Sequence, residues 1–166
     1  LLDASGSMAT RDAEGRARLE AAVRLAQRLT GELNDRFEFR FWAFDTRLRP
    51  VAPGDLGSVQ AEGYATDLGV CLSKALAGGL GEDAALVVLS DGIHNVPDTF
   101  GEVSKAARLA KAASTPIFTR TFGSPTALAD LSVRLASPDH VAFVHQEVPV
   151  RVLVQGSGVP PGSTVE

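Results

Sequence analysis

Residues 84–92 read AALVVLSDG. A strand with one wet face alternates apolar and polar residues, whereas a parallel strand covered on both faces does not. The unbroken apolar run over 84–90, closed by Asp91 and Gly92, is therefore the pattern of a buried parallel strand. Such a strand needs helices before and after it to cover the sheet, and the flanking sequence supplies them. Downstream, Asp98 or Thr99 can cap a helix that runs to about residue 113 with Val103, Ala106, Leu109 and Ala110 inward, before Pro116 forbids continuation. Residues 117–122 read as the next strand. Upstream, Leu68, Leu72, Ala75 and Leu76 recur at helical spacing over 66–77, and Gly78-Gly79 ends that helix.

Further upstream, residues 37–45 (FEFRFWAFD) place Phe37, Phe39, Phe41 and Ala43 on one side and Trp42 and Phe44 on the other, a strand with two apolar faces. The aromatics of this strand belong to the core. Residues 48–51 read as a short edge strand, because Pro50 and Pro53 cannot donate to a ladder, and 52–64 as loop. The stretch 13–34 is expected to be an amphipathic helix with Leu19, Ala22, Ala26, Leu29 and Leu33 inward and Arg18, Arg24, Arg28 and Glu32 away from that stripe. The alternation implies an α/β fold: a Rossmann-like, open, mostly parallel sheet with right-handed crossovers and helices on both faces. Ligands of such sheets bind at the carboxyl ends of the strands.

After Thr126 the pattern changes. Leu131, Val133 and Leu135, then 141–144, then 148–154 are strand-like, with no helix between them and a turn at Pro160-Pro161-Gly162. Two domains are expected: residues 1–127, and residues 128–166 as the incomplete start of an all-β, sandwich-type module. The chain opens on Leu1-Leu2 with no initiator methionine and ends at Val165-Glu166 in a strand-like run. The first strand is therefore expected to be truncated, with any anchor or signal outside this window.

Composition excludes several function classes. At 166 residues, 45% hydrophobic, the chain can bury a full core. A net charge of −4 with scattered arginines argues against a nucleic-acid partner, which requires a basic patch. Cys71 stands alone, so there is no internal disulfide and no thiolate-rich zinc site, and it reads as a small core residue. No stretch approaches the roughly 20 apolar residues that span a bilayer, so a membrane could be met only through segments outside the window.

Three pieces fall at the expected carboxyl edge of the sheet: Asp3-Ala4-Ser5-Gly6-Ser7-Met8, Thr66, and Asp91-Gly92. Their ligating side chains all act through oxygen, which suits a hard cation such as Mg²⁺. Asp3, Ser5 and Ser7 are spaced by two in a turn and can converge on one point, with Gly6 relieving crowding at the bend. Each piece also has a plain reading: a capped turn, a helix N-cap at Thr66, a strand-ending turn at Asp91. Asp67 is expected in the first helical turn, favouring the helix dipole. His94 and Asn95 share the Asp91 loop, but His140 and His145 lie in the β tail and no zinc-spaced pair exists.

Asp-x-Ser-Gly-Ser-Met, followed by a later threonine and a later aspartate, resembles the von Willebrand factor A family with its metal-ion-dependent adhesion site, over about residues 1–126. The resemblance implies Ser5, Ser7 and Thr66 as hydroxyl ligands and Asp3 and Asp91 as carboxylates binding directly or through water. Mg²⁺, or else Mn²⁺ or Ca²⁺, would then accept an Asp or Glu of a partner protein as its last ligand. In that family an open state with direct threonine contact leaves the cation more electrophilic. A looser resemblance is to bacterial envelope proteins in which such a domain precedes a β-sandwich, implying membrane anchoring.

Catalytic machinery is not evident: there is no Gly-x-Ser-x-Gly, no phosphate-cradling Gly-x-x-x-x-Gly-Lys loop, and no second acid after Asp-Ala-Ser-Gly. The expectation is a binding module. The alternatives are an intracellular subunit beside an AAA-type ATPase, as in chelatase-type family members, and a metal-dependent hydrolase without an identified base.

Overall fold

The computed structural model describes residues 1–81, 83–96, 100–124, 130–136 and 150–157. The chain divides into two compact units, Leu1–Gly123 and Ser124–Glu166. The first is a mixed α/β unit built on five strands: β1 (Leu2–Asp3), β2 (Phe41–Phe44), β3 (Leu48–Val51), β4 (Leu86–Ser90) and β5 (Ile117–Thr121), in the order β3-β2-β1-β4-β5. The pairs β1–β2, β1–β4 and β4–β5 are parallel, and only edge strand β3 is antiparallel. Pro50 sits opposite Trp42 on that edge strand, where a missing N–H is tolerated.

Three helices cover the sheet: α1 (Arg18–Leu33), α2 (Leu68–Ala77) and α3 (Phe100–Ala112). Successive strand side chains point to opposite faces, and the core divides accordingly. Leu2 and Leu89 pack with Leu19, Ala22, Val23 and Ala26 of α1. Phe44, Leu86 and Val88 pack with Cys71, Leu72 and Ala75 of α2 and Ala106 of α3. The α2–α3 approach is close: a Cβ on Gly69 would lie 2.7 Å from the Glu102 and Val103 backbone. The chain moves from β1 outward through β2 to β3, then crosses over to β4 and β5 on the other side. Strand order thus reverses between β1 and β4, where open α/β sheets form a ligand crevice.

Several boundaries differ from expectation for local reasons. The first helix begins at Arg18, not residue 13, because Ala13 and Arg16 pair across a tight turn with Glu14 at φ 54° and Gly15 at φ 78°. Strand β2 begins at Phe41, since its partner β3 is only four residues long; Phe37 is left exposed, and Phe39 stacks on Phe41 with ring centroids 6.1 Å apart. Strand β4 begins at Leu86, where pairing with Ile117 starts. The loop 52–64 contains a 3-10 helix, Pro53–Ser58, which buries Leu56 against the α1-side core. Helix α2 starts at Leu68, capped by Asp67, whose carboxylate accepts the Val70 N–H at 3.1 Å. Asp67 therefore lies at the cap position rather than within the first turn.

In the second unit, β6 (Asp130–Leu135) and β7 (Val152–Ser157) form an antiparallel pair. The expected strand at 141–144, the start of the one at 148–154, the caps Asp98 and Thr99, and the 127/128 boundary lie outside the described residues. Among the described residues no helix is long and apolar enough to cross a membrane.

Candidate metal centre

Strand β1 is only two residues long, and its last residue opens the site. Asp3 is fully buried; its Oδ1 accepts the Ser5 N–H at 2.9 Å and its Oδ2 accepts the Ser90 hydroxyl at 2.5 Å. Neither donor is charged. Burial accordingly pushes the Asp3 pKa above its ordinary value, the Ser90 and Ser5 hydrogen bonds draw it partly back, and the nearby Asp91 charge adds to the rise. A buried carboxylate in this condition is one that a bound cation would stabilise.

The Asp3–Ser5 bond bends the backbone into the turn that the sequence spacing implied. Ser5 stands at the N-cap of a short 3-10 helix, Gly6–Ala9, but makes no side-chain capping bond; its hydroxyl hydrogen-bonds that of Ser7 at 3.1 Å instead. The turn is held from both sides. Met8 is fully buried in the α1-side core. On the opposite side the Gly6 N–H donates to Gly63 O at 2.6 Å, and the Gly63 N–H donates to Ala4 O at 3.0 Å. A Cβ on Gly63 would come within 2.5 Å of the Asp45 Cβ, so this close pairing of segments needs glycine there, and one on Gly6 would fit tightly, 3.3 Å from the Gly63 carbonyl.

Thr66 is buried, and its N–H donates to Asn95 Oδ1 at 2.7 Å, tying the entry to α2 to the loop after β4. The N-cap role belongs to its neighbour Asp67. His94 faces the same helix start: the Leu68 N–H approaches its Nδ1 at 3.4 Å, so that ring nitrogen acts as an acceptor to backbone.

Asp91 follows β4 directly, with its side chain 1% exposed. Its Oδ1 accepts the Ile93 N–H at 3.0 Å and its Oδ2 accepts from the Arg18 guanidinium at 2.8 Å. The same guanidinium donates to both carboxylate oxygens of Asp12 at 2.8 and 2.7 Å. Arg18 is thus not a solvated residue on the outer face of its helix, as the amphipathic pattern suggested, but half of an ion-pair system lodged against the site. Helical periodicity cannot reveal this, because Arg18 occupies the first turn, where direction is set by the preceding turn and not by the core stripe.

The five residues expected as ligands stand as follows. Asp3, Ser5 and Ser7 share one hydrogen-bonded turn; Asp91 lies on the neighbouring strand end within electrostatic reach of Asp3; Thr66 is anchored to the Asp91-bearing loop through Asn95. Sequence reading missed Ser90, Asn95, Asp12 and the inward role of Arg18. Among the described residues no three His, Cys, Asp or Glu side chains form a cluster able to hold a metal. A cation here would depend on hydroxyls and water as well as carboxylate. An all-oxygen set around a buried carboxylate with neutral donors fits a hard divalent ion of that kind. No family model, curated protein or solved structure matches the chain.

Proposed function

We propose that the first unit is a von Willebrand factor A-type domain that binds a partner protein through one divalent cation, Mg²⁺ by preference, and does not catalyse a reaction. The observation that carries this reading is the Asp3–Ser5–Ser7 turn at the strand-order reversal, with a fully buried Asp3 whose hydrogen-bond donors among the described residues are uncharged. Asp3, Ser5 and Ser7 would hold the cation, with Thr66 and Asp91 completing the site directly or through water. A cation held by few charges keeps the capacity to accept an acidic side chain from outside. Tyr64, 88% exposed, and Ile93, 43% exposed, belong to the two segments that carry Thr66 and Asp91 and offer apolar contact beside such a bond. The envelope setting and the sandwich character of the second unit are part of the same proposal and rest on resemblance.

The test is titration of the protein with MgCl₂ by calorimetry, with melting followed in Mg²⁺ and in excess chelator. Binding with a raised melting temperature is expected, because the ion binds only the folded state. Asp3→Ala, and the double variant Ser5→Ala with Ser7→Ala, should lose it. An unchanged Mg²⁺ response in the double variant would show that the ligand assignment is wrong, and partner capture that persists in chelator would refute the adhesion mechanism.

A further inference from the structure

The arrangement of Arg18 is not explained by the metal reading. Its side chain is 13% exposed, and its two carboxylate partners, Asp12 and Asp91, are 4% and 1% exposed. Buried charges of this kind are costly unless fully paired, and the guanidinium fork pairs with both acids at once. Its position is walled in. A Cβ on Gly123, which has φ 136°, would lie 3.3 Å from Arg18 Nε and 3.4 Å from Cζ. The backbone of the same residue is also held, its N–H donating to Thr10 O at 3.0 Å.

Asp91, like Asp3, has both oxygens engaged by protein donors, but one of its donors is the charged Arg18 guanidinium, with the Ile93 N–H on the other oxygen, whereas both Asp3 donors are neutral. We infer that Arg18, pinned by Asp12, is a positioning residue of the metal centre: it holds Asp91 back from direct coordination and weakens cation binding. The inference rests on the metal reading above. The Arg18 charge, shared between Asp12 and Asp91, offsets part of the negative charge beside the site, so the cation meets a field weaker than Asp3, Asp12 and Asp91 would create without it. The bound ion then keeps more of its charge for a ligand from outside. Arg18 acts here through Asp91 and does not itself touch the cation.

Calorimetric titration with MgCl₂ of the wild-type chain, Arg18→Gln and Arg18→Lys, with melting curves in Mg²⁺ and in chelator, tests this. Arg18→Gln should melt lower in chelator, because Asp12 and Asp91 lose their shared partner. It should also bind Mg²⁺ about tenfold more tightly and gain more in melting temperature from the ion than wild type does. Arg18→Lys, which keeps the charge, should return the affinity toward the wild-type value. A purely structural role would lower melting equally with and without Mg²⁺ and leave Kd unchanged, and that result overturns the inference alone. If no variant and no wild-type sample binds Mg²⁺, the metal reading falls and the inference with it. Should Arg18→Gln fail to fold, Asp12→Asn addresses the same point: with Asp12 neutral, more of the guanidinium charge is left to Asp91, Mg²⁺ binding weakens, and an unchanged Kd overturns the inference.

Discussion

The Ser90 hydroxyl donates to Asp3 Oδ2 at 2.5 Å and itself accepts the Gly92 N–H at 3.0 Å, joining residues 87 positions apart in the chain. This short relay links the ends of β1 and β4 and holds the buried carboxylate beside the loop that carries Asp91. Ser90→Ala removes the hydroxyl from both bonds. The expected cost is about 1–3 kcal/mol in urea unfolding without metal, the range for a buried acceptor left short of a donor. Saturating Mg²⁺ should return part of that loss, and an equal loss in both conditions would count against a cation on Asp3.

Thr66→Ala is expected to separate two affinities. Thr66 sits on a different element from Ser5 and Ser7, so its contact with the cation depends on how the loops are arranged, a two-state bias that a partner carboxylate would shift. Mg²⁺ binding should weaken slightly and partner binding strongly, whereas Asp3→Ala should abolish both. Paired titrations with Mg²⁺ and with a partner isolated by metal-dependent pull-down measure the difference, and equal losses in Thr66→Ala would refute it.

Two glycines carry the closest backbone approaches. Gly63→Ala would drive a methyl to 2.5 Å from the Asp45 Cβ and 3.2 Å from Ala4 O, displacing the strand-like bridge that supports Ser5. Gly69→Ala would drive one to 2.7 Å from the α3 backbone. Each should cost about 1–3 kcal/mol by overpacking, and Gly69→Ala the more, because two helix backbones give way less readily than a side chain. Thermal melts of both variants check the ranking, and Gly63→Ala should in addition weaken Mg²⁺ binding while Gly69→Ala leaves it unchanged.

Cys71 is fully buried, with its thiol turned to Asp45 O at 3.7 Å, and burial pushes its pKa up from 9.0 to about 11. The unfolded chain therefore releases the thiol proton first. The contribution to stability is present below pH 9 and is lost as pH rises from 9 towards 11. Melting temperature should fall over that interval, and less steeply in Cys71→Ala. Iodoacetamide at about pH 8 should label the thiol only after unfolding; rapid labelling of the folded chain would contradict the burial.

The sequence by itself determined the class of fold and the chemical nature of the candidate ligands. The apolar run whose residues 86–90 form β4 pointed to a strand covered on both faces, and the helical stripes on either side of it to the elements that cover it, because hydrophobic periodicity follows from burial and is written residue by residue. The spacing of Asp3, Ser5 and Ser7 is likewise local, and a turn that gathers them needs no distant partner to be foreseen. What only the tertiary structure decided is which distant groups meet them. Ser90 reaches Asp3 because β1 and β4 are neighbours in the sheet; Asn95 reaches the Thr66 backbone because two loops share one edge; and Arg18 turns inward because residues 13–16 form a turn instead of a helix. Each of these depends on strand order, on loop placement or on the positive φ angles of Glu14 and Gly15, and none of these leaves a periodic trace in the sequence. The local turn that gathers Asp3, Ser5 and Ser7 was therefore legible in advance, while the electrostatic balance around it, one buried acid with neutral donors and the other paired with an arginine, emerged only from the packing.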